Sequence, residues 1–361
     1  ANDDVVIDTA VFVELNGSTT INSLQLGSST ASVASQLSFA YNATASDPLI
    51  IDDGDFVIEN GATLTHASGS TNGTITGNIN LDIQIGDLTI NSGGSIDVSE
   101  VGYYSGIGTD DGNGPGAGNT FDNISWDGGG GAYGGDGGDG SDGAPNAAGG
   151  TAYGSTTNPV QLGSSGANGG ASGGGGEGGG LAILTVTGTT TIDGSIFANG
   201  EAGIAGSGNG AGGGAGGGIN ITTGGIEGTG SVTANGGDGG DDTDDGGGGG
   251  GGRIAINYDT GATDSLTLQA YGASATGIGG LAAAGTIFTK SGAQTGGSLL
   301  IDNTANVTQD HVEPSGTGIL GLESLTATGS ALVQFDGSTA PAITTVISAG
   351  AANCTVATGT T

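Results

Sequence analysis

The chain has 361 residues, of which 85 are Gly and 36 are Asp or Glu, while Arg253 and Lys290 are its only basic side chains, so the formal net charge is −34. Ordinary globular chains carry about 7 % Gly and about 25 % charged residues. A balance this acidic excludes the basic face that phosphate contacts need and opposes docking on anionic headgroups, and Gly without a Gly-X-Y period excludes collagen.

Residues 1–79 read as an N-terminal β segment. Val5-Val6-Ile7, Val11-Phe12-Val13 and Thr19-Thr20-Ile21 are short Val/Ile/Thr-rich runs broken by Gly, Asn and Asp, which is the pattern of strands and turns. Val5, Val6, Ile7, Val11, Phe12 and Val13 form a candidate assembly strand, able to add to a sheet of a neighbouring copy. Ala1 in place of Met fits a mature product after removal of a secretory signal. No apolar run approaches the ~18 residues of a membrane span.

Residues 80–303 contain a repeat. Ser195-Ile196-Phe197-Ala198-Asn199-Gly200, Ser231-Val232-Thr233-Ala234-Asn235-Gly236 and Thr267-Leu268-Gln269-Ala270-Tyr271-Gly272 follow one another at 36 residues, with a weaker copy at Gly94–Val98. A fixed period means one structural unit used repeatedly. Its β half is Ile183–Val186, Thr190–Ile192 and Ser195–Phe197. Three short strands in about 18 residues make one turn of a parallel β-helix, a solenoid whose coils bury their Ile, Leu and Val only by stacking. The chain is therefore expected to be all-β, with no stretch of helical periodicity.

The other half of each unit is a Gly-rich insert, at about 102–180, 201–218 and 236–252. Inserts leaving one corner of successive coils should lie side by side and pack as a polyglycine or polyproline-II-type bundle with roughly three residues per turn. Asp136, Asp139 and Asp142, and again Asp238, Asp241 and Asp244, fall at i, i+3, i+6. Each trio should share one ridge, and such short carboxylates suit Ca²⁺. Residues 304–361 read as a C-terminal β segment.

Candidate enzyme chemistry is sparse, and the chain is read as a non-enzyme. Gly-rich phosphate loops need a helix N-terminus and usually a Lys. His66 and His311 lack partners at zinc spacing, and two basic residues are too few to stabilise a uronate transition state. Lone Cys354 cannot form an internal disulfide. Seven Asn-x-Ser/Thr triplets, at Asn16, Asn42, Asn72, Asn123, Asn220, Asn306 and Asn353, are candidate glycan acceptors.

The ordered motifs of the middle region carry a resemblance. Gly86-Asp87-Leu88-Thr89-Ile90, Gly128–Gly138 with Tyr133, Ala152-Tyr153-Gly154, Asn158–Ser164 and Ile192–Ile196 lead to Gly246–Gly252 with Arg253-Ile254-Ala255-Ile256 and Tyr258. Ala284–Ile287 and Leu299–Asn303 close the series. Residues 80–303 so ordered resemble a glycine-rich β-helical module of bacterial secreted and cell-surface proteins, adhesin-like or filament-forming. The resemblance implies an extracellular or surface location and a structural or adhesive role. The leading expectation is a subunit of a filament or stalk whose partner is itself. The alternatives are an adhesin that binds glycans or other cells, through Tyr103, Tyr104, Trp126, Tyr133 and Tyr153, and an ice-binding protein using arrays such as Thr189-Thr190-Thr191.

Overall fold

A computed structural model of the protein describes residues 4–9, 12–15, 19–30, 34–39, 49–51, 54–67, 81–106, 111–120, 127–140, 147–170, 173–206, 208–241, 244–273, 279–303, 311–312, 321–329, 331–333, 345–348 and 353–354. Every regular element among them is a strand, and there is no α-helix. Gly at this density disfavours helix, whereas the alternating Val, Ile and Thr suit a pleated surface.

The first eleven strands are β1 (Asp4–Ile7), β2 (Phe12–Leu15), β3 (Thr19–Ile21), β4 (Ser23–Leu26), β5 (Gln36–Phe39), β6 (Leu49–Ile51), β7 (Asp55–Ile58), β8 (Thr63–His66), β9 (Leu81–Ile85), β10 (Asp87–Ile90) and β11 (Ser95–Asp97). After the long Gly-rich segment come β12 (Leu181–Ile192), β13 (Ser195–Phe197), β14 (Gly218–Glu227), β15 (Ser231–Thr233), β16 (Arg253–Gly261), β17 (Thr267–Gln269) and β18 (Thr286–Ser291). These strands pair in parallel, each with its counterpart from the next unit. One series runs β1-β4-β7-β10-β12-β14-β16-β18 in a 14-stranded sheet, and another runs β2-β5-β8-β11-β13-β15-β17 in a 7-stranded sheet. β3, β6 and β9 form a further parallel path onto the first half of β12.

The 36-residue period becomes a register. Ile96 pairs with Ile196, Ile196 with Val232, and Val232 with Leu268. The apolar residues of these rows form one continuous buried cluster that includes Leu26, Ile58, Leu88, Ile192 and Ile226. Polar ladders run beside it. Asn199 Oδ1 accepts the Asn235 backbone N–H at 2.8 Å, and Asn235 Oδ1 accepts that of Tyr271 at 2.8 Å. The recurring Ala-Asn-Gly is thus a side chain standing in for a missing backbone acceptor where the strand ends.

Residues before position 80 belong to the same sheets as those after it, because β6, β7 and β8 pair directly with β9, β10 and β11. Near the other expected boundary the direction reverses. β19 (Ser298–Asn303) pairs antiparallel with β18 and covers its free edge. It then continues in parallel to β21 (Ser324–Gly329) and β23 (Thr345–Ser348). A 3-stranded sheet of β20 (His311–Val312), β22 (Leu332–Val333) and β24 (Asn353–Cys354) accompanies them. A second buried cluster, with Phe288, Leu299, Ile301 and Leu325, lies under this part.

The Gly-rich segments are held by backbone hydrogen bonds with a period of three. Gly128 and Gly131 donate to Gly210 and Gly213, Gly129 and Ala132 donate to Asn119 and Gly116, and Gly130 donates to Gly138. Gly212 and Ala215 donate to Ala167 and Ser164, Gly213 and Gly216 to Gly247 and Gly250, and Gly214 and Gly217 to Glu201 and Ala198. Successive N–H groups therefore point to three different neighbouring segments. Close approach leaves no room for a side chain: a Cβ at Gly130 would lie 1.8 Å from the Gly248 carbonyl oxygen, and one at Gly213 would lie 1.9 Å from that of Gly237.

Gly130→Ala is expected to lower stability by about 1–3 kcal/mol or more through overpacking. Gly174→Ala, where the new Cβ meets only Ile204 Cδ1 at 3.9 Å, should stay within about 0.5 kcal/mol of the parent. Denaturant unfolding of the two variants checks the contrast.

Candidate functional site

Three features of the fold bear on function: the open edge at the first strands, the acidic ridges, and the junction of the Gly-rich segments with the large sheet. β1 and β2 are the terminal strands of the 14- and 7-stranded sheets, so among the described residues one edge of each has no strand partner. Val6 is 57 % exposed, whereas Val5, Ile7 and Val13 pack against the main core. An edge of this kind, presenting backbone donors and an exposed Val, is a template for strand addition. Of the other candidate assembly residues, Phe12 is described only through its backbone, and Val11 lies outside the described residues.

The acidic ridges are engaged locally. Asp136 Oδ1 accepts the Ala152 N–H at 2.6 Å, and Asp139 Oδ1 accepts the Gly149 N–H at 2.8 Å. A three-residue step on one segment thus matches a three-residue step on its antiparallel neighbour. Asp238 and Asp241 are exposed, and Asp244 is half-buried with its carbonyl accepting from Gly210 N–H. Asp142 lies outside the described residues. Among the described residues no three His, Cys, Asp or Glu converge as metal ligands. Of the seven triplet asparagines, Asn220 is 7 % exposed and donates to Asn158 Oδ1 at 2.8 Å, a bond that a glycan would have to displace. Asn353 is described only through its backbone, and Asn16, Asn42, Asn72, Asn123 and Asn306 lie outside the described residues.

Arg253 joins the Gly-rich segments to the sheet. It opens β16 directly after Gly246–Gly252, and its guanidinium is fully buried. Nε donates to the Tyr153 carbonyl at 2.8 Å, and Nη1 donates to Thr156 Oγ1 at 2.9 Å and Thr286 Oγ1 at 3.1 Å. Its Cζ stands 5.6 Å from the centroid of the Tyr133 ring, which packs 4.9 Å from that of Tyr153. The Tyr153 hydroxyl donates to the Leu162 carbonyl and accepts from Ser164 Oγ. Burial lowers the Arg253 pKa to about 10, and Tyr133, Tyr153 and Asp136 oppose the shift; the group stays a cation and its contacts resemble a cation–π clamp. Tyr133 is wholly buried, so this part of the expected glycan-contacting cluster serves packing instead. Tyr103 and Tyr104 are half-buried, and Trp126 lies outside the described residues. Sequence reasoning missed Arg253 as a hub, although an isolated cation in an acidic Gly-rich chain was itself the available signal.

Two titrating groups, the half-buried Glu177 and the buried His66, sit where long segments meet. Burial, then Glu201 and Glu100, raises the Glu177 carboxyl pKa to about 7, and Glu177 N–H donates to Glu201 Oε2 at 3.1 Å. Glu100, at φ 59°, and Asp97 complete this acidic group. Burial lowers the His66 pKa to about 4. The neutral ring fits its partners, with Nδ1–H donating to the Ala67 carbonyl at 3.0 Å and Nε2 accepting the Leu181 N–H at 3.4 Å.

The raised Glu177 pKa means that folding favours its protonated form. That stability is fully present below the ordinary value near 4.5 and is lost as pH rises to about 7. The difference in melting temperature between the parent and Glu177→Gln should therefore move in the variant's favour across this window, and scanning calorimetry at several pH values checks it. Arg253→Lys keeps the charge but loses the fork. It should cost about 1–3 kcal/mol and reduce hydrogen-exchange protection over residues 147–165.

No family model, curated protein or solved structure matches this chain.

Proposed function

We propose that the chain is an extracellular structural protein, a subunit of a surface filament or stalk, folded as a parallel β-helix whose Gly-rich inserts pack as a polyglycine-II-type bundle. The single observation that carries the reading is the in-register parallel ladder ending at β1 and β2 with an open edge. A ladder that repeats its own pairing from unit to unit offers at its end the same hydrogen-bonding pattern that its interior uses. A second copy can extend that pattern, and a contact between two different surfaces of one chain propagates into a filament.

The helical part of the reading is supported by the 36-residue spacing from β13 to β15 to β17, by the near-equal spacing from β12 to β14 to β16 (Leu181 beside Gly218, Gly218 beside Arg253), and by the one core beneath both series. The bundle is supported by the threefold rotation of the N–H groups and by glycines that admit no Cβ. The surface location is supported by the resemblance of residues 80–303 to bacterial surface modules. Arg253 and the carboxylates of Asp136 and Asp139 act as fasteners in this scheme, so no reaction is assigned to the chain.

Negative-stain microscopy and sedimentation of the intact chain should show filaments that lengthen with concentration, and Val6→Lys should shorten or abolish them by placing a charge on the edge. A chain that stays monomeric at high concentration, or fibres unchanged both in Val6→Lys and after deletion of residues 1–15, would sink the proposal. An ice-binding role is less favoured by the geometry, because Thr190 is buried and bonded to Thr223 Oγ1, which interrupts the Thr189–Thr191 array.

A further inference from the structure

We infer that the large sheet carries a binding groove for a neutral, linear oligosaccharide on its outer face, independent of assembly at the edge. The groove crosses β12, β14, β16 and β18 and has a volume of about 530 Å³, within the ~300–1,000 Å³ usual for ligand sites. It opens where the register between β12 and β14 steps, between Val186 and Thr189. Its backbone is one row of cross-strand neighbours: Thr185 beside Thr222, Thr222 beside Asn257, and Asn257 beside Lys290. Parallel strands lie about 4.8 Å apart, so the row is roughly 14 Å long. Two residues further along the strands, Thr187 and Asp259 form a second row. Gly224 and Gly292 also line this row and keep it low.

Two of the groove's hydroxyls are committed to the protein, Thr187 Oγ1 donating to the Ile85 carbonyl at 3.3 Å and Thr223 Oγ1 to the Gly225 carbonyl at 2.7 Å, but the row from Thr185 to Lys290 is not. Nearby asparagines are: Asn220 bonds to Asn158, and Asn199 and Asn235 cap the next unit's backbone. The side chains of Asn257, Asp259 and Lys290, in contrast, make no hydrogen bond or ion pair with the described residues. A carboxamide, a carboxylate, an ammonium and the hydroxyls of Thr185 and Thr222 thus converge on one open space, and convergent polar groups of this kind fix a ligand's orientation.

The chemistry selects the ligand. Thr185, Thr222 and Asn257 each offer a donor and an acceptor together and Lys290 adds donors at the end of the row, which suits a ligand that presents both at regular intervals, as vicinal hydroxyls do. A pyranose ring repeats at close to one strand spacing, so successive rings of a linear glycan can stay in step with the row. Lys290 is the only Lys or Arg side chain that reaches solvent, because Arg253 is fully buried, and Asp259 lies in the same groove. The net charge of −34 repels polyanions at longer range. A neutral chain is therefore preferred over a polyuronate. Tyr258 also lines the groove but is half-buried and packed against the main core, so recognition rests chiefly on hydrogen bonds.

The test is a glycan array probed with the intact protein, holding neutral and uronate-containing linear oligosaccharides, followed by calorimetry with the neutral sugar that binds best. Neutral glycans of three or more rings should bind. Asn257→Ala and Lys290→Ala should each weaken the Kd at least about tenfold through a lost hydrogen bond, and Thr222→Val, at an exposed position, should weaken it less. Asp238→Asn, outside the groove, should leave it unchanged. Melting temperatures of the groove variants should match the parent's, and filament formation should be unaffected. An array without neutral hits, a preference for uronates, or a Kd unchanged in the folded groove variants overturns the inference.

Discussion

Backbone-to-backbone contact at glycine is the constraint on which the rest of this molecule depends. Wherever two Gly-rich segments meet, the position of a would-be Cβ lies about as close to a carbonyl oxygen as a hydrogen normally does: 1.8 Å at Gly130 and at Gly178, 1.9 Å at Gly213, Gly236 and Gly247. A glycine hydrogen there points at the oxygen, a geometry that adds weak Cα–H···O attraction to the N–H···O bonds. Glycine pays a large conformational entropy on ordering, and an isolated segment has no side chains with which to offset it. Only many parallel contacts at once make the arrangement stable, which is why these segments are ordered as a group.

The sheet supplies the anchoring that such segments lack. Gly216 and Gly217 run straight into β14, Gly251 and Gly252 into β16, and Gly179 and Gly180 into β12. Strands stacked in register therefore set the spacing of the Gly-rich segments that precede them. Arg253 ties the same corner from the side, collecting Tyr153 and Thr156 from one segment and Thr286 from β18. A buried guanidinium is costly unless its donors are met; here a carbonyl and two hydroxyls take Nε and Nη1, Nη2 has no hydrogen-bond partner among the described residues, and the Tyr133 ring faces the charge.

Electrostatics divide the molecule in a simple way. With 36 acidic and two basic side chains, attraction between charged groups contributes little to holding the fold together. Many carboxylates instead act as hydrogen-bond acceptors for backbone N–H groups: Asp87 for Thr189, Asp193 for Thr229, Asp136 for Ala152 and Glu323 for Thr295. This use suits short carboxylates at turns. It covers Asp136 and Asp139, which accept backbone N–H groups three residues apart.

Much of this was written in the chain. The 36-residue spacing of Ile196, Val232 and Leu268 became their cross-strand register, since a unit that buries its apolar face only against its neighbour must place like residues in line. The three short strands expected between Ile183 and Phe197 are present, with the first two fused into the continuous β12. The three-residue spacing of Asp136 and Asp139 was equally visible, and it reappears in the backbone groups they accept from, Ala152 and Gly149. Other features lay beyond local pattern. The reversal between β18 and β19, the role of Arg253 and Tyr133, and the meeting of Asn257 with Lys290 each join residues more than a turn apart in sequence. Composition and period determined what kind of element each segment forms; tertiary packing alone decided which side chains face one another, because contacts between distant segments depend on how many residues the intervening loops place between them.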